Sequence, residues 1–309
     1  MILNPLGHTG LHVSALGFGA MHIHDERTSE AEAGALLNQV LDAGINLIDT
    51  ARGYGLSEAR IGRHLAHRRA EFVLSTKVGY GVEGVPDWTY DCIVQGVERA
   101  LRLMRTDWLD IVHLHSCPLP VLQQGDVTRA LNDCRRAGKL RVAAYSGDND
   151  EAGFAISSGT AGTSDTSGTS NTAGEFGSVQ TSVSLCDQAH LKHRAAAAAQ
   201  TGVGIIAKRP LAGAVWRFAE RPAEFAEGQY WDRFRAMGLH ALSEADWGDT
   251  ALRFAVFHTG VASAIVGTAQ PANLSRNLAA IARGPLPAAQ AQALREAFIS
   301  HDAGWPGLI

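Results

Sequence analysis

An acid, a phenol, an ammonium and an imidazole stand at the ends of three short apolar runs in this 309-residue chain. The run "INLIDTARGYG" carries Asp49 and Tyr54, "FVLSTKVG" carries Lys77, and "WLDIVHLHS" carries His115. Together these types suit proton transfer to a carbonyl oxygen. A tyrosine phenol titrates near pH ~10 and is a poor acid at neutral pH. A buried lysine cation beside it would strengthen it. A carboxylate would hold the lysine, and a histidine would orient the carbonyl. Asp49 alone reads equally well as a helix N-cap or a surface turn; its company gives it the catalytic reading.

Such groups need a scaffold that brings several strand ends to one place. Short apolar runs alternate with amphipathic helical patterns along the chain, which is the signature of βα units and a parallel sheet. Strands are expected at residues 15–19, 45–49, 72–76, 109–114, 142–146, 178–183, 204–207 and 263–266. Eight is the number of a (β/α)8 TIM barrel, whose chemistry lies at the C-terminal mouth. A helix over 29–43 opens with Ser29 and, three residues on, Glu32, a capping-box pattern, and stops at Gly44. Further helices are expected over 89–103 and 126–137. Two stretches depart from the alternation. Residues 159–174 hold only Gly, Ser, Thr, Ala, Asp and Asn, too little apolar surface to offset ordering. They read as a flexible insertion at the closed end of the barrel. Residues 211–247 hold Trp216, Phe218, Phe225, Tyr230, Trp231 and Phe234. They read as an aromatic cover at the mouth, a satellite helix, or both.

Composition narrows the class. A hydrophobic share of 46% supports a large core, and one domain over 1–309 is expected. Net charge is −4 with both signs interspersed, so nucleic acid is not an expected partner. No apolar run reaches the ~18 residues of a membrane span, and the N-terminus lacks the pattern of a signal peptide. Cys92, Cys117, Cys134 and Cys186 are scattered without a CxxC, which suits a reducing cytoplasm. Oligomeric state leaves no mark in the sequence.

The segment "DTARGYGLSEARIGRHL" resembles the signature of the aldo-keto reductases. "LGHTGLHVSALGFGAM", "STKVG", "DIVHLHS", "GSVQTSVSLCDQ" and "IVGTAQPANLSRNLAA" follow the order of that family, from about Leu3 to about Ala282. "KRPL" at 208–211 is similar to its bacterial branch. The resemblance implies an N-terminal β-hairpin, an extra C-terminal helix, and reduction of an aldehyde or ketone with NADPH, NADH being possible. It makes Tyr54 the proton donor, with Asp49, Lys77 and His115 around it. It implies Ser146 and Gln180 at the nicotinamide carboxamide, with Gly147 where the family often has Asn. Leu211 and Gly213 fall in the loop that holds the pyrophosphate. Gly19, Gly267, Thr268 and Asn277 are further cofactor candidates. A stacking Tyr of the family aligns with Lys208. NADPH-selective members carry bases where this chain has Gly267, Ala269 and Asn273, so Arg276 is the nearest base for a 2′-phosphate.

Several residues keep other readings open. Gly17-Phe18-Gly19 is a fragment of GxGxxG with His22 in the third glycine's place, a weak signal. Arg52 could meet an anionic substrate group or be a solvated side chain. His113 and His115 share one face of a strand, and an HxH pair on a barrel strand is also a metal-ligand pattern. A metal-dependent hydrolase would need more ligands on later strands, where His190, His193, His240, His258 and His301 fall in expected helices or loops. Otherwise His113 fills an interior layer below His115. A cofactor-bound sensor or subunit with little turnover is the third reading.

Overall fold

The computed structural model describes residues 1–159, 176–242 and 246–308. The glycine-serine-threonine stretch therefore lies, from residue 160 on, outside the described residues. A two-stranded antiparallel hairpin, β1 (Leu3–Pro5) and β2 (His12–Ser14), opens the chain. Eight parallel strands follow. They are β3 (Leu16–Gly19), β4 (Leu47–Asp49), β5 (Val73–Val78), β6 (Leu109–His115), β7 (Leu140–Ser146), β8 (Ser178–Ser182), β9 (Gly204–Lys208) and β10 (Val261–Gly267). They close in sequence order, with β10 pairing back on β3. All eight expected strands form, and the barrel is the expected (β/α)8 TIM fold.

Alternation along each strand sorts the side chains. Ile48, Leu74, Val112 and Leu114 point outward and pack on Leu36, Leu37 and Val40 of the helix Glu30–Asp42 and its neighbours. Leu47, Val73, Ile111, Val142 and Ile206 point inward and meet Leu6, Leu11 and Val13 of the hairpin, which closes the bottom. Above this apolar floor the inward positions become polar: Asp49, Ser75, Lys77, His113, His115, Ser146 and Gln180. The helix Glu30–Asp42 has its capping box, with Ser29 N donating to Glu32 Oε2 at 2.8 Å and Glu32 N to Ser29 Oγ at 3.3 Å. β4 starts at Leu47 rather than 45 because Asn46 trades side-chain bonds with Ser14 in place of a strand ladder (Ser14 N to Asn46 Oδ1, 2.6 Å; Asn46 N to Ser14 Oγ, 3.0 Å).

The aromatic segment splits. Its helix, Phe225–Ala236, buries Tyr230 and Phe234 against Trp247, Phe254 and Leu294 and leaves Phe225 exposed, as is Phe218 in the segment before it. A last helix, Ala288–His301, follows the eighth barrel helix, Pro271–Ala282. The tail after it folds back over β8: Ser182 Oγ donates to the Leu308 carbonyl at 2.9 Å, and Leu308 N donates to Asp187 Oδ2 at 3.0 Å.

Candidate active site at the barrel mouth

Strand register sets the heights of the polar side chains. Asp49 pairs with Ser75, Lys77 with His113, and His115 with Ser146, which pairs with Gln180. Lys77 is 1% exposed, and its ammonium donates to Asp49 Oδ2 at 2.5 Å and to the Thr50 carbonyl at 2.8 Å. Burial alone would strip its proton, but the charges of Asp49 and Tyr54 outweigh that and hold its pKa above the ordinary 10.5. Its nitrogen lies 5.2 Å from the centre of the Tyr54 ring. Tyr54, half-buried in the turn after β4, meets the His115 ring edge-on at 6.2 Å. Burial, and then Lys77, push the His115 pKa down to about 3, so its imidazole is neutral at physiological pH.

The other oxygen of Asp49 accepts from Ser75 Oγ at 2.8 Å and from Gln180 Nε2 at 3.1 Å. Ser146 Oγ in turn donates to Gln180 Oε1 at 2.9 Å. The two residues expected at a nicotinamide carboxamide are thus joined to the catalytic candidates by one buried chain. His113 sits below His115, fully buried, with its ring nitrogens 3.1 Å from Ser75 Oγ and 3.2 Å from the Tyr145 carbonyl. Burial lowers its pKa to about 4, and it fills an interior layer. Among the described residues, no three His, Cys, Asp or Glu side chains are grouped to hold a metal ion.

The cofactor candidates fall around the same mouth. Gly19 and Gly267 are paired on adjacent strand ends. A Cβ on Gly267 would stand 2.7 Å from the His22 ring and 2.9 Å from the Gly19 carbonyl, so that strand end is kept bare. Arg209, Ala212, Gly213 and Ala214 after β9 all have positive φ, which three of the four adopt at a cost because they carry a Cβ. Leu211 lies within that run. Thr268 caps the turn into the eighth helix, accepting from Gln270 N at 3.0 Å and Asn273 Nδ2 at 3.2 Å. Asn277 is half-buried on that helix, and Arg276 is exposed beside it. Lys208 is tied to the buried Asp148 at 2.7 Å.

A family model described as the aldo/keto reductase family matches residues 15–299. The chain belongs to the aldo/keto reductase family. Membership implies a nicotinamide cofactor. An aldo-keto reductase of Bacillus halodurans solved in its holo form shares the fold, with a TM-score of 0.81 over 96% of each chain at 23% identity. L-Galactose dehydrogenase of Arabidopsis thaliana is 32% identical over 154 residues, 47% of this chain and 48% of that one. An aldo-keto reductase of Alternaria alternata is 30% identical over 243 residues, 67% of this chain and 64% of that one. The first two curated relatives are matched over about half of their length.

Sequence reasoning missed several side chains that the structure places around these candidates. Ser75 lies two residues before Lys77 on the same strand, so its inward face was readable from alternation. The Asp148–Lys208 pair joins two strand ends and had no local signal. Neither did Tyr80, in the turn after β5, whose hydroxyl stands 2.8 Å from His115 Nδ1. Arg52 is half-buried, and its Nη1 has no partner among the described residues.

Proposed function

We propose that this chain catalyses the NAD(P)H-dependent reduction of an aldehyde or ketone to an alcohol, or the reverse. The observation that carries the reading is the buried Lys77 ammonium, clamped by Asp49 beneath Tyr54 and beside a neutral His115. The chemistry a bound nicotinamide supplies is hydride donation to the carbonyl carbon. Tyr54 passes its proton to the carbonyl oxygen as negative charge develops there. Lys77 stabilises the phenolate left on Tyr54, and Asp49 keeps Lys77 charged and in place. His115 presents a neutral N–H to the same oxygen and selects the face that the carbonyl turns to the donor.

The residues at the mouth fit a dinucleotide. Gly19 and Gly267 pair on adjacent strand ends, and a Cβ on Gly267 would meet the Gly19 carbonyl and the His22 ring, so backbone alone lines that part of the mouth. Arg209, Ala212, Gly213 and Ala214 give the backbone around Leu211 left-handed turns, the kind of conformation from which anion-binding concavities are built. Thr268 stands just before the eighth helix, whose N-terminus favours a phosphate, and Asn277 lies in the middle of that helix. Ser146 and Gln180 are the groups for the carboxamide, and Arg276 is the base for a 2′-phosphate, which makes NADPH the preferred form. No helix among the described residues is long and apolar enough to cross a membrane. Four buried cysteines, none in a disulfide, support a reducing compartment such as the cytoplasm. The test is oxidation of NADPH and NADH, followed by absorbance, against a panel of aldehydes and ketones. Turnover that needs no added metal is expected. Cofactor binding without turnover on any carbonyl would replace the reading with a sensor or subunit role.

A further inference from the structure

We propose that Tyr80 is a positioning residue that fixes His115 as its Nε2–H tautomer, so that this N–H faces the substrate carbonyl. The inference rests on the reductase reading above. Tyr80 Oη lies 2.8 Å from His115 Nδ1, and the two rings run nearly parallel, at 29°, with centres 5.6 Å apart. The phenol is wedged in place. Trp88 meets it edge-on at 6.0 Å, and Trp88 reaches there because Gly79, at φ +139°, has no side chain: a Cβ would stand 2.1 Å from the indole. On the other side a Cβ on Gly53 would be 3.0 Å from the Tyr80 hydroxyl.

The direction of the bond follows from the inventory of protons. A neutral imidazole carries one N–H, and the other nitrogen accepts. His115 is kept neutral by burial; Lys77, Lys208 and His113 act in the same sense, and Asp49 alone opposes them. Tyr80 keeps its proton: burial, followed by the proximity of Tyr54, raises its pKa, against Lys77 and Arg52. Its hydroxyl has no acceptor other than Nδ1 among the described residues. A phenol O–H donating to Nδ1 satisfies both groups and puts the imidazole proton on Nε2. The opposite assignment strands the phenol proton in a half-buried site. It would also turn a lone pair toward a carbonyl oxygen that needs a donor.

The full chain, labelled with 15N-histidine, reports the tautomer through two-bond proton–nitrogen correlations, with His115 assigned by the signals lost in His115→Asn. The expected spectrum shows Nε2–H at His115 in the wild type and a shift toward Nδ1–H in Tyr80→Phe, which keeps the ring and loses the hydroxyl. In the same variant kcat for carbonyl reduction should fall about tenfold, while the Kd for NADPH stays within about twofold. A wild-type Nδ1–H signal overturns the inference. So does a Tyr80→Phe protein with unchanged tautomer and kcat. A wild type that turns over no carbonyl instead overturns the reductase reading, and the spectrum then decides the role of Tyr80 by itself.

Discussion

Lys77 is an ammonium with 1% of its surface left to water, in a cavity that would favour the neutral amine. Two acceptors, Asp49 Oδ2 and the Thr50 carbonyl, make the charge tenable. The arrangement gives Tyr54 a cation to leave its electrons beside. Tyr54→Phe should therefore lower kcat by ~10²–10⁴ and leave the Kd for NADPH nearly unchanged, because the phenol acts on the reacting oxygen and not on the dinucleotide. Steady-state kinetics with fluorescence titration of the cofactor checks both halves, and near-normal kcat would remove Tyr54 from the role of proton donor. Asp49, Tyr54, Lys77 and His115 were legible because each follows an apolar run and the four types make sense only together. Ser75 was not singled out, and Gln180 was read at the carboxamide but not against the far oxygen of Asp49, since no local pattern says which side chain a buried carboxylate will meet.

At the level of elements, one rule accounts for the site. Inward positions recur every second residue, so Val73, Ser75 and Lys77 climb one strand from apolar floor to polar mouth, and Ile111, His113 and His115 climb the next. That rule was readable from alternation, as were the capping box at Ser29 and the eight strands. The left-handed residues between Arg209 and Ala214 were not, because arginine and alanine carry no mark of that backbone. The eighth helix bears on cofactor choice. Arg276 is exposed there, one residue before Asn277. If it meets a 2′-phosphate, Arg276→Ala should raise the Kd for NADPH by ~1.5–3 kcal/mol and leave NADH unchanged. Equal small effects on both, measured by titration, would assign it to the helix surface.

The whole molecule is held at its mouth by the C-terminal tail and a buried carboxyl. Asp187 accepts from Leu308 N at 3.0 Å and from Tyr230 Oη at 3.1 Å, while its other oxygen has no partner among the described residues. Burial, with Asp148 adding to it, lifts its pKa from the ordinary 3.8 to about 7. A carboxyl raised on folding contributes stability that is full below the unfolded value and is lost as pH rises through the folded one. Asp187→Asn removes that dependence. Relative to the wild type, its Tm should rise between about pH 4 and about pH 7, as scanning calorimetry would show; parallel curves would mean that Asp187 is ionised throughout. The order of strands has a different consequence, one of timing. The seam between β3 and β10 joins residues 16–19 to 264–267, about 250 positions apart. A growing chain emerges N-terminus first, so for most of its synthesis the sheet has two open edges and no ring. Until β10 appears, Leu16 and Phe18 present an unpaired parallel edge to the cytosol of whatever host expresses the protein. Yield on expression should depend on translation speed and chaperone supply more than on the stability of the finished barrel.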